Sequence, residues 1–109
     1  MRTIVNRPDL WDATATAWAA LARERPLPPA TARGQLLAAT RWRAPALLRV
    51  PALFLAGASD KMVHADCSRA LARRYGAPLV LHPTAGHDLT TDAGDWVTAE
   101  VRRWHASRS

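Results

Sequence analysis

Apolar positions follow a helical spacing in the first part of the chain, over residues 8–45. Pro8 can begin a first helix, because the N–H that proline lacks is unpaired in a first turn anyway. That helix must end before the prolines of 26–29. A second helix is predicted up to about Trp42, with Thr31 as its N-cap. The predicted apolar face of the first helix comprises Trp11, Thr14, Ala15, Trp18, Leu21 and Ala22.

From residue 50 onward the pattern indicates strands that alternate with helices. Residues 53–56 are an uninterrupted apolar run, which is typical of a strand buried on both faces of a parallel sheet. A helix is predicted over 65–75, ending at Gly76, and a second strand over 78–82. This order of elements predicts an α/β fold.

The two helices of this second part carry their own predicted faces. In the helix between the strands, the inner face is expected to comprise Cys67, Ala70, Leu71 and Tyr75. Asp92 is the predicted N-cap of a closing helix. The apolar stripe of that closing helix comprises Val97, Val101 and Trp104.

The strand–helix–strand order places an acid and a base at one edge of the predicted sheet. Such crossovers are right-handed in about 98% of cases, so the two strands are parallel and their C-terminal ends emerge together. Asp60 follows the first strand and His87 follows the second. Neighbouring strands lie roughly 5 Å apart, and this edge is where open α/β sheets bind ligands.

An aspartate beside a histidine has a well-defined chemical use. The carboxylate accepts the Nδ1 proton of the imidazole, fixes its tautomer and stabilises the imidazolium that forms when the ring takes up a proton. Gly57 and Gly86, shortly before Asp60 and His87, are predicted to allow tight turns. Taken singly, an Asp or a His here would be a cap, a turn residue or a surface residue; their joint placement favours a functional pair. Asp88 is interpreted as a helix cap or surface charge without a catalytic role.

Two stretches, 51–63 (PALFLAGASDKMV) and 84–89 (TAGHDL), resemble the C-terminal portion of the α/β-hydrolases. In that family the first stretch is the penultimate core strand with the triad acid, and the second carries the triad histidine after the last strand. Residues 95–104 resemble the closing helix. The resemblance implies that Asp60 is the acid and His87 the general base, and it is greatest to the lysophospholipase, monoglyceride-lipase and serine-aminopeptidase-like hydrolases.

The resemblance also implies a domain organisation. Residues 1–109 are expected to be a partial α/β-hydrolase domain, with a helical cap-like segment at 8–45, assigned by position, and a C-terminal βαβα core portion at 50–107. A complete member has its nucleophile before the cap, then the acid, then the histidine. No serine here lies in a Gly-x-Ser-x-Gly turn, and no His-Gly-Gly oxyanion loop is present; the serines are Ser59, Ser68, Ser107 and Ser109.

These features predict a C-terminal fragment of a serine hydrolase of esters, and less readily of amides. The fragment could be a truncated product, the result of a wrongly assigned start, or one half of a split enzyme. Without a nucleophile and oxyanion donors it is expected to be inactive alone. A small ester-type substrate is expected only when an N-terminal half completes the site.

No cofactor or metal ion is expected. Cys67 is the only cysteine, so no intramolecular disulfide is possible, and its predicted place in a helix makes it a buried structural residue rather than a nucleophile. His64, predicted to be exposed at a helix start, His82 and His105 show no metal-ligand spacing. No glycine-rich phosphate loop is present.

The net charge of +6 comes almost entirely from arginine, since Lys61 is the only lysine. Either the arginines form solvated helix faces or they bind nucleic acid; the first interpretation is favoured because no basic run or nucleic-acid motif is present. Hydrophobic residues make up 49% of the chain, which argues against disorder. No apolar run approaches the roughly 20 residues of a membrane span, and the N-terminus lacks a signal-peptide core. A cytoplasmic protein is expected.

An alternative is a non-enzymatic interaction module, or a degenerate remnant of the hydrolase fold. A buried strand at 53–56 needs a neighbouring strand on both sides, and the sequence predicts only one further strand. The exposed edge could pair with a second copy or with a complementary half.

Overall fold

The computed structural model describes residues 2–109. Within them the elements are a 3-10 turn Pro8–Leu10 and, in chain order, α1 Trp11–Glu24, α2 Pro29–Arg41, β1 Phe54–Gly57, α3 Ala65–Tyr75, β2 Leu79–His82 and α4 Leu89–Ala106. The chain forms two compact units. One contains the residues up to Trp11 together with 48–109, and the other is Asp12–Leu47.

The sheet consists of β1 and β2, which pair in parallel from Phe54↔Leu79 to Gly57↔His82. The α/β class and the parallel pairing are therefore confirmed. Pairing begins where the Phe54 N–H donates to the Pro78 carbonyl at 2.9 Å, so both strands start one residue later than predicted. The expectation of burial on both faces is wrong: Phe54, Leu55 and Ala56 are only half-buried, because β1 has a single strand neighbour among residues 2–109.

Helix α3 has the predicted bounds, and local signals explain both ends. The His64 Nδ1 accepts a hydrogen bond from the Asp66 N–H at the N-terminus. At the C-terminus Gly76 adopts a left-handed conformation, with φ of 58°, and its N–H donates to the carbonyls of Ala72 and Arg73. A glycine tolerates this φ without the steric cost that a Cβ would bring.

The predicted inner face of α3 is partly wrong, because Cys67 and Ala70 are exposed. The face toward the sheet is instead centred on Ala72, which is 5% exposed. Helix geometry puts positions three and four apart on one face, so a stripe through Ala72 leaves Cys67 and Ala70 outside it. The half-buried members of this stripe are Ala65, Ser68, Leu71 and Tyr75.

Helix α4 begins at Leu89 with Asp88 as its N-cap, whose carboxylate accepts from the Thr91 N–H. The prediction that Asp92 caps this helix is therefore wrong, while the assignment of Asp88 as a cap is confirmed. Asp92 lies inside the helix, just before non-helical backbone at Ala93, and is buried. The predicted stripe is also inexact: Val101 is 44% exposed, whereas Glu100 is buried.

Helices α1 and α2 contain no buried residue. The predicted apolar face of α1 is thus largely open to solvent, with Trp18 42% and Leu21 57% exposed. Helix α2 begins at Pro29, directly after Pro28 at the N-cap position, so the assignment of Thr31 as N-cap is wrong. Proline already has the φ that a first helical turn needs, which moves the start ahead of Thr31.

None of the helices within residues 2–109 combines the length and the apolar character that crossing a membrane requires.

Candidate functional site

Asp60 lies in the loop that follows β1, and the backbone of this loop fixes its carboxylate. The Oδ1 atom accepts the N–H groups of Met62 at 2.7 Å and Val63 at 2.9 Å. This is an Asx-type turn, in which an aspartate binds backbone N–H groups shortly after itself. The side chain is only 12% exposed. Its second oxygen, Oδ2, remains for another partner.

That partner is His87, in the loop that follows β2. Its Nδ1 lies 2.9 Å from the Asp60 Oδ2. An ionised carboxylate can only accept hydrogen bonds, so Nδ1 carries the proton and Nε2 of a neutral ring can accept one. The His87 side chain is 41% exposed, which leaves the ring accessible. The structure therefore brings together the two residues that the strand topology predicts to be neighbours.

The surroundings of Asp60 favour its charged form. Partial burial by itself raises the pKa of this carboxyl, but hydrogen bonds from the Val63 N–H, the His87 ring and the Met62 N–H more than offset it. The net effect holds the pKa of Asp60 below its ordinary value of 3.8. The carboxylate thus stays ionised at neutral pH and can hold the Nδ1 proton of His87.

Gly57 allows the acid loop and the histidine loop to approach each other, and Gly86 leaves room beside the histidine loop for two side chains. A Cβ on Gly57 would lie 2.2 Å from the Ala85 carbonyl oxygen, and one on Gly86 would lie 3.0 Å from the Asp92 carboxylate. Neither glycine has a positive φ. The predicted tight turn does form after Gly57, where the Asp60 N–H donates to the Gly57 carbonyl at 3.4 Å. Because neither φ is positive, the requirement for glycine comes from close packing, against main-chain atoms at Gly57 and against the Asn6 and Asp92 side chains at Gly86.

A cavity of about 200 Å³ opens beside the pair. Asp60 and His87 line it together with the apolar side chains of Leu55, Val63 and Leu89. The hydroxyl-bearing Ser68 of α3 also lines it. Ser68 belongs to the body of α3 and is not on a strand-to-helix turn. The cavity therefore combines the His87 ring with a mostly apolar wall.

The remaining candidate residues lie away from this pair. The His82 Nδ1 accepts the N–H groups of Ala85 at 3.0 Å and Thr84 at 3.3 Å, and its ring packs edge-on against Trp96. His82 thus closes the loop after β2 rather than facing a substrate. Cys67 is exposed on α3, which contradicts its predicted burial.

Ser59 and His64 also have structural partners. The Ser59 hydroxyl donates to the Pro83 carbonyl at 3.3 Å. His64 is exposed at the start of α3, as predicted, and its Nδ1 accepts the Asp66 N–H. Neither residue is among the side chains that line the cavity.

Asn6 and Asp92, neither of which the sequence pattern assigns to the site, hold the site loops. The buried Asp92 carboxylate accepts the N–H groups of Asn6, Arg7 and Gly86. The Asn6 side-chain amide donates to the carbonyls of Ser59 at 2.9 Å and Thr84 at 3.1 Å. Asn6 and Asp92 are 86 positions apart, so no local sequence pattern could have linked them.

Within residues 2–109, no group of three or more His, Cys, Asp or Glu side chains is arranged to hold a metal ion. Comparison with known proteins adds no relationship: no family model, no curated protein and no solved structure matches this chain.

Proposed function

We propose that this chain is the C-terminal part of a serine hydrolase of the α/β-hydrolase type, acting on esters and less readily on amides. Asp60 is the acid and His87 the general base. The hydrogen bond of 2.9 Å between the Asp60 Oδ2 and the His87 Nδ1 carries this proposal. It leaves Nε2 of a partly exposed ring beside a largely apolar cavity, the arrangement that proton transfer from a nucleophile needs.

In the completed enzyme, a serine hydroxyl attacks the ester carbonyl while His87 takes its proton on Nε2. When the tetrahedral intermediate collapses, the C–O bond to the leaving group breaks and His87 returns the proton to the departing alkoxide. Water then attacks the acyl-enzyme with the same base, which releases the acid and restores the serine. Asp60 remains ionised throughout and stabilises the imidazolium.

The chain as given carries the proton relay without the nucleophile turn. No Gly-x-Ser-x-Gly sequence occurs in it. We therefore expect the purified chain of 109 residues to hydrolyse p-nitrophenyl esters no faster than buffer. Hydrolysis well above the buffer rate that disappears in His87→Ala would overturn the proposal that the nucleophile is supplied from elsewhere.

The DNA immediately upstream of the coding region tests the origin of the nucleophile. An in-frame Gly-x-Ser-x-Gly preceded by a strand pattern is the expected finding. An unrelated gene at that position would contradict a truncated hydrolase and favour a remnant of the fold.

A second candidate function is that of an interaction module, and one observation favours it. The edge of β1 that faces away from β2 has no strand partner among residues 2–109. Strand edges of this kind pair readily with another chain. Under this alternative, light scattering should show a mass that rises with protein concentration, whereas a monomer at all concentrations with cooperative melting would count against it.

A further inference from the structure

We propose that Asn6 and Asp92 form a clamp that positions the Asp60–His87 pair. The term clamp here denotes these two side chains together with the backbone of residues 4–7. The inference rests on the proposed function of Asp60 and His87. It adds the residues that hold these two side chains at hydrogen-bonding distance.

The first half of the clamp is the Asp92 carboxylate, which is only 6% exposed. Its Oδ2 accepts the Gly86 N–H at 2.6 Å, and its Oδ1 accepts the Arg7 N–H at 3.1 Å. The Asn6 N–H lies 2.9 Å from both oxygens. Buried charge is tolerated only where hydrogen bonds satisfy it, so the carboxylate ties the residue before His87 to the N-terminal segment.

The second half is the Asn6 side chain, which joins the two loops of the site directly. Its Nδ2 donates to the Ser59 carbonyl at 2.9 Å and to the Thr84 carbonyl at 3.1 Å. Because two carbonyl oxygens face this atom, it must be the NH₂ group rather than the amide oxygen. Ser59 directly precedes Asp60, so one side chain spans the acid loop and the histidine loop.

The N-terminal backbone completes the clamp on the far side of His87. The Asp88 N–H donates to the Ile4 carbonyl at 2.8 Å. Val5 is fully buried, and its carbonyl accepts the indole N–H of Trp11 at 2.8 Å. Both neighbours of His87 are therefore fixed to residues 4–7, either directly or through Asp92. The clamp therefore acts together with the Ala58 and Ser59 N–H groups, which donate to the His82 and Ala85 carbonyls, in holding the imidazole at 2.9 Å from Asp60.

The test is ¹⁵N NMR of the His87 ring in the full chain near neutral pH, comparing wild type with Asn6→Ala. The wild-type neutral ring should carry its proton on Nδ1. In Asn6→Ala the ratio of the Nδ1–H to the Nε2–H form should fall by at least about tenfold, because losing the clamp should break the hydrogen bond from His87 to the charged Asp60. The matched control is Gln35→Ala, which removes an exposed amide from α2 and should leave the ratio unchanged.

Asp92→Asn provides a second variant of nearly unchanged volume. The new side chain presents an NH₂ group or a neutral amide oxygen to the N–H groups that donate to the carboxylate in wild type. Asp92→Asn should therefore also lower the ratio of the Nδ1–H to the Nε2–H form of His87. Its control, Asp66→Asn, removes a carboxylate whose side chain is 71% exposed and should have no effect. A wild-type ratio in both Asn6→Ala and Asp92→Asn would overturn the clamp.

Hydrogen exchange of the wild-type chain keeps the inference testable if both clamp variants fail to fold. The amides of Asn6, Gly86 and Asp88 should exchange as slowly as those inside α3, because each is donated within the clamp. Fast exchange at these three amides, with α3 protected, would refute the clamp. A wild-type His87 ring that is protonated on Nε2 would instead contradict the proposed function, so the two failures are distinguishable.

Discussion

Gly57→Ala adds a single methyl group, and we expect it to destabilise the fold and to push apart the two loops of the site. Gly57 is buried at the end of β1, and its new Cβ would lie 2.2 Å from the Ala85 oxygen and 2.5 Å from the Gly86 oxygen. Ordinary contact begins near 3.5 Å, so the histidine loop must retreat by about 1 Å. The atoms in the way are main-chain atoms, so no side-chain rotation can relieve the clash.

The expected loss follows from two destabilising contributions and one stabilising contribution. Overpacking costs about 1–3 kcal/mol, and the Ser59 N–H to Ala85 carbonyl hydrogen bond, now 3.2 Å long, is worth about 1 kcal/mol. Against this, replacing glycine reduces the entropy of the unfolded chain, which stabilises by about 0.4–1 kcal/mol. The net fall in the free energy of unfolding is therefore roughly 1–4 kcal/mol.

Urea unfolding followed by circular dichroism measures this change. Gly94→Ala is the matched control in the same compact unit, since a Cβ there meets no atom within 4 Å. It should leave the free energy of unfolding unchanged or raise it by up to about 1 kcal/mol. If Gly57→Ala proved as stable as Gly94→Ala, the close approach of the two site loops would be refuted.

Three further outcomes are expected. Gly76→Ala should lower the free energy of unfolding by about 1–2 kcal/mol in the same urea assay, because it forces a Cβ into the left-handed conformation at φ of 58°. Asp88→Ala should cost about 1 kcal/mol by removing the N-cap of α4, and unchanged stability would contradict that assignment. Folding lowers the pKa of Asp60, so the ionised carboxylate stabilises the folded chain fully above the ordinary pKa of 3.8. This stabilisation is lost as the pH falls through the lowered pKa of the folded chain. Between about pH 6 and about pH 3, the urea midpoint of Asp60→Asn should therefore fall less than that of wild type; equal falls would count against the lowered pKa of the Asp60 carboxyl.

The sequence was sufficient for features that depend on neighbouring residues or on strand connectivity. The bounds of α3 follow from local sequence signals, such as the glycine at position 76 that ends the helix. The meeting of Asp60 and His87 follows from the parallel pairing of β1 and β2, because the C-terminal ends of parallel strands lie at the same edge of the sheet.

Features that depend on distant partners could not be predicted in the same way. Asp92 looks like a cap because it precedes an apolar stripe, but its carboxylate is taken by residues 6 and 7 at the other end of the chain. The sequence predicts the wrong face of α3 for Cys67, because the spacing of small apolar residues does not determine which of them lies at the centre of the buried face. Packing against the sheet selects the face around Ala72.

If this chain is the C-terminal part of a hydrolase, as we propose, ester hydrolysis by the polypeptide read in frame from the upstream DNA through this chain tests the central claim most directly. That polypeptide should contain a nucleophile turn and hydrolyse p-nitrophenyl esters, and His87→Ala should lower its kcat by at least about 10⁴-fold. His64→Ala, which alters an exposed histidine outside the pair, should retain full activity. Undiminished hydrolysis by His87→Ala would contradict the account.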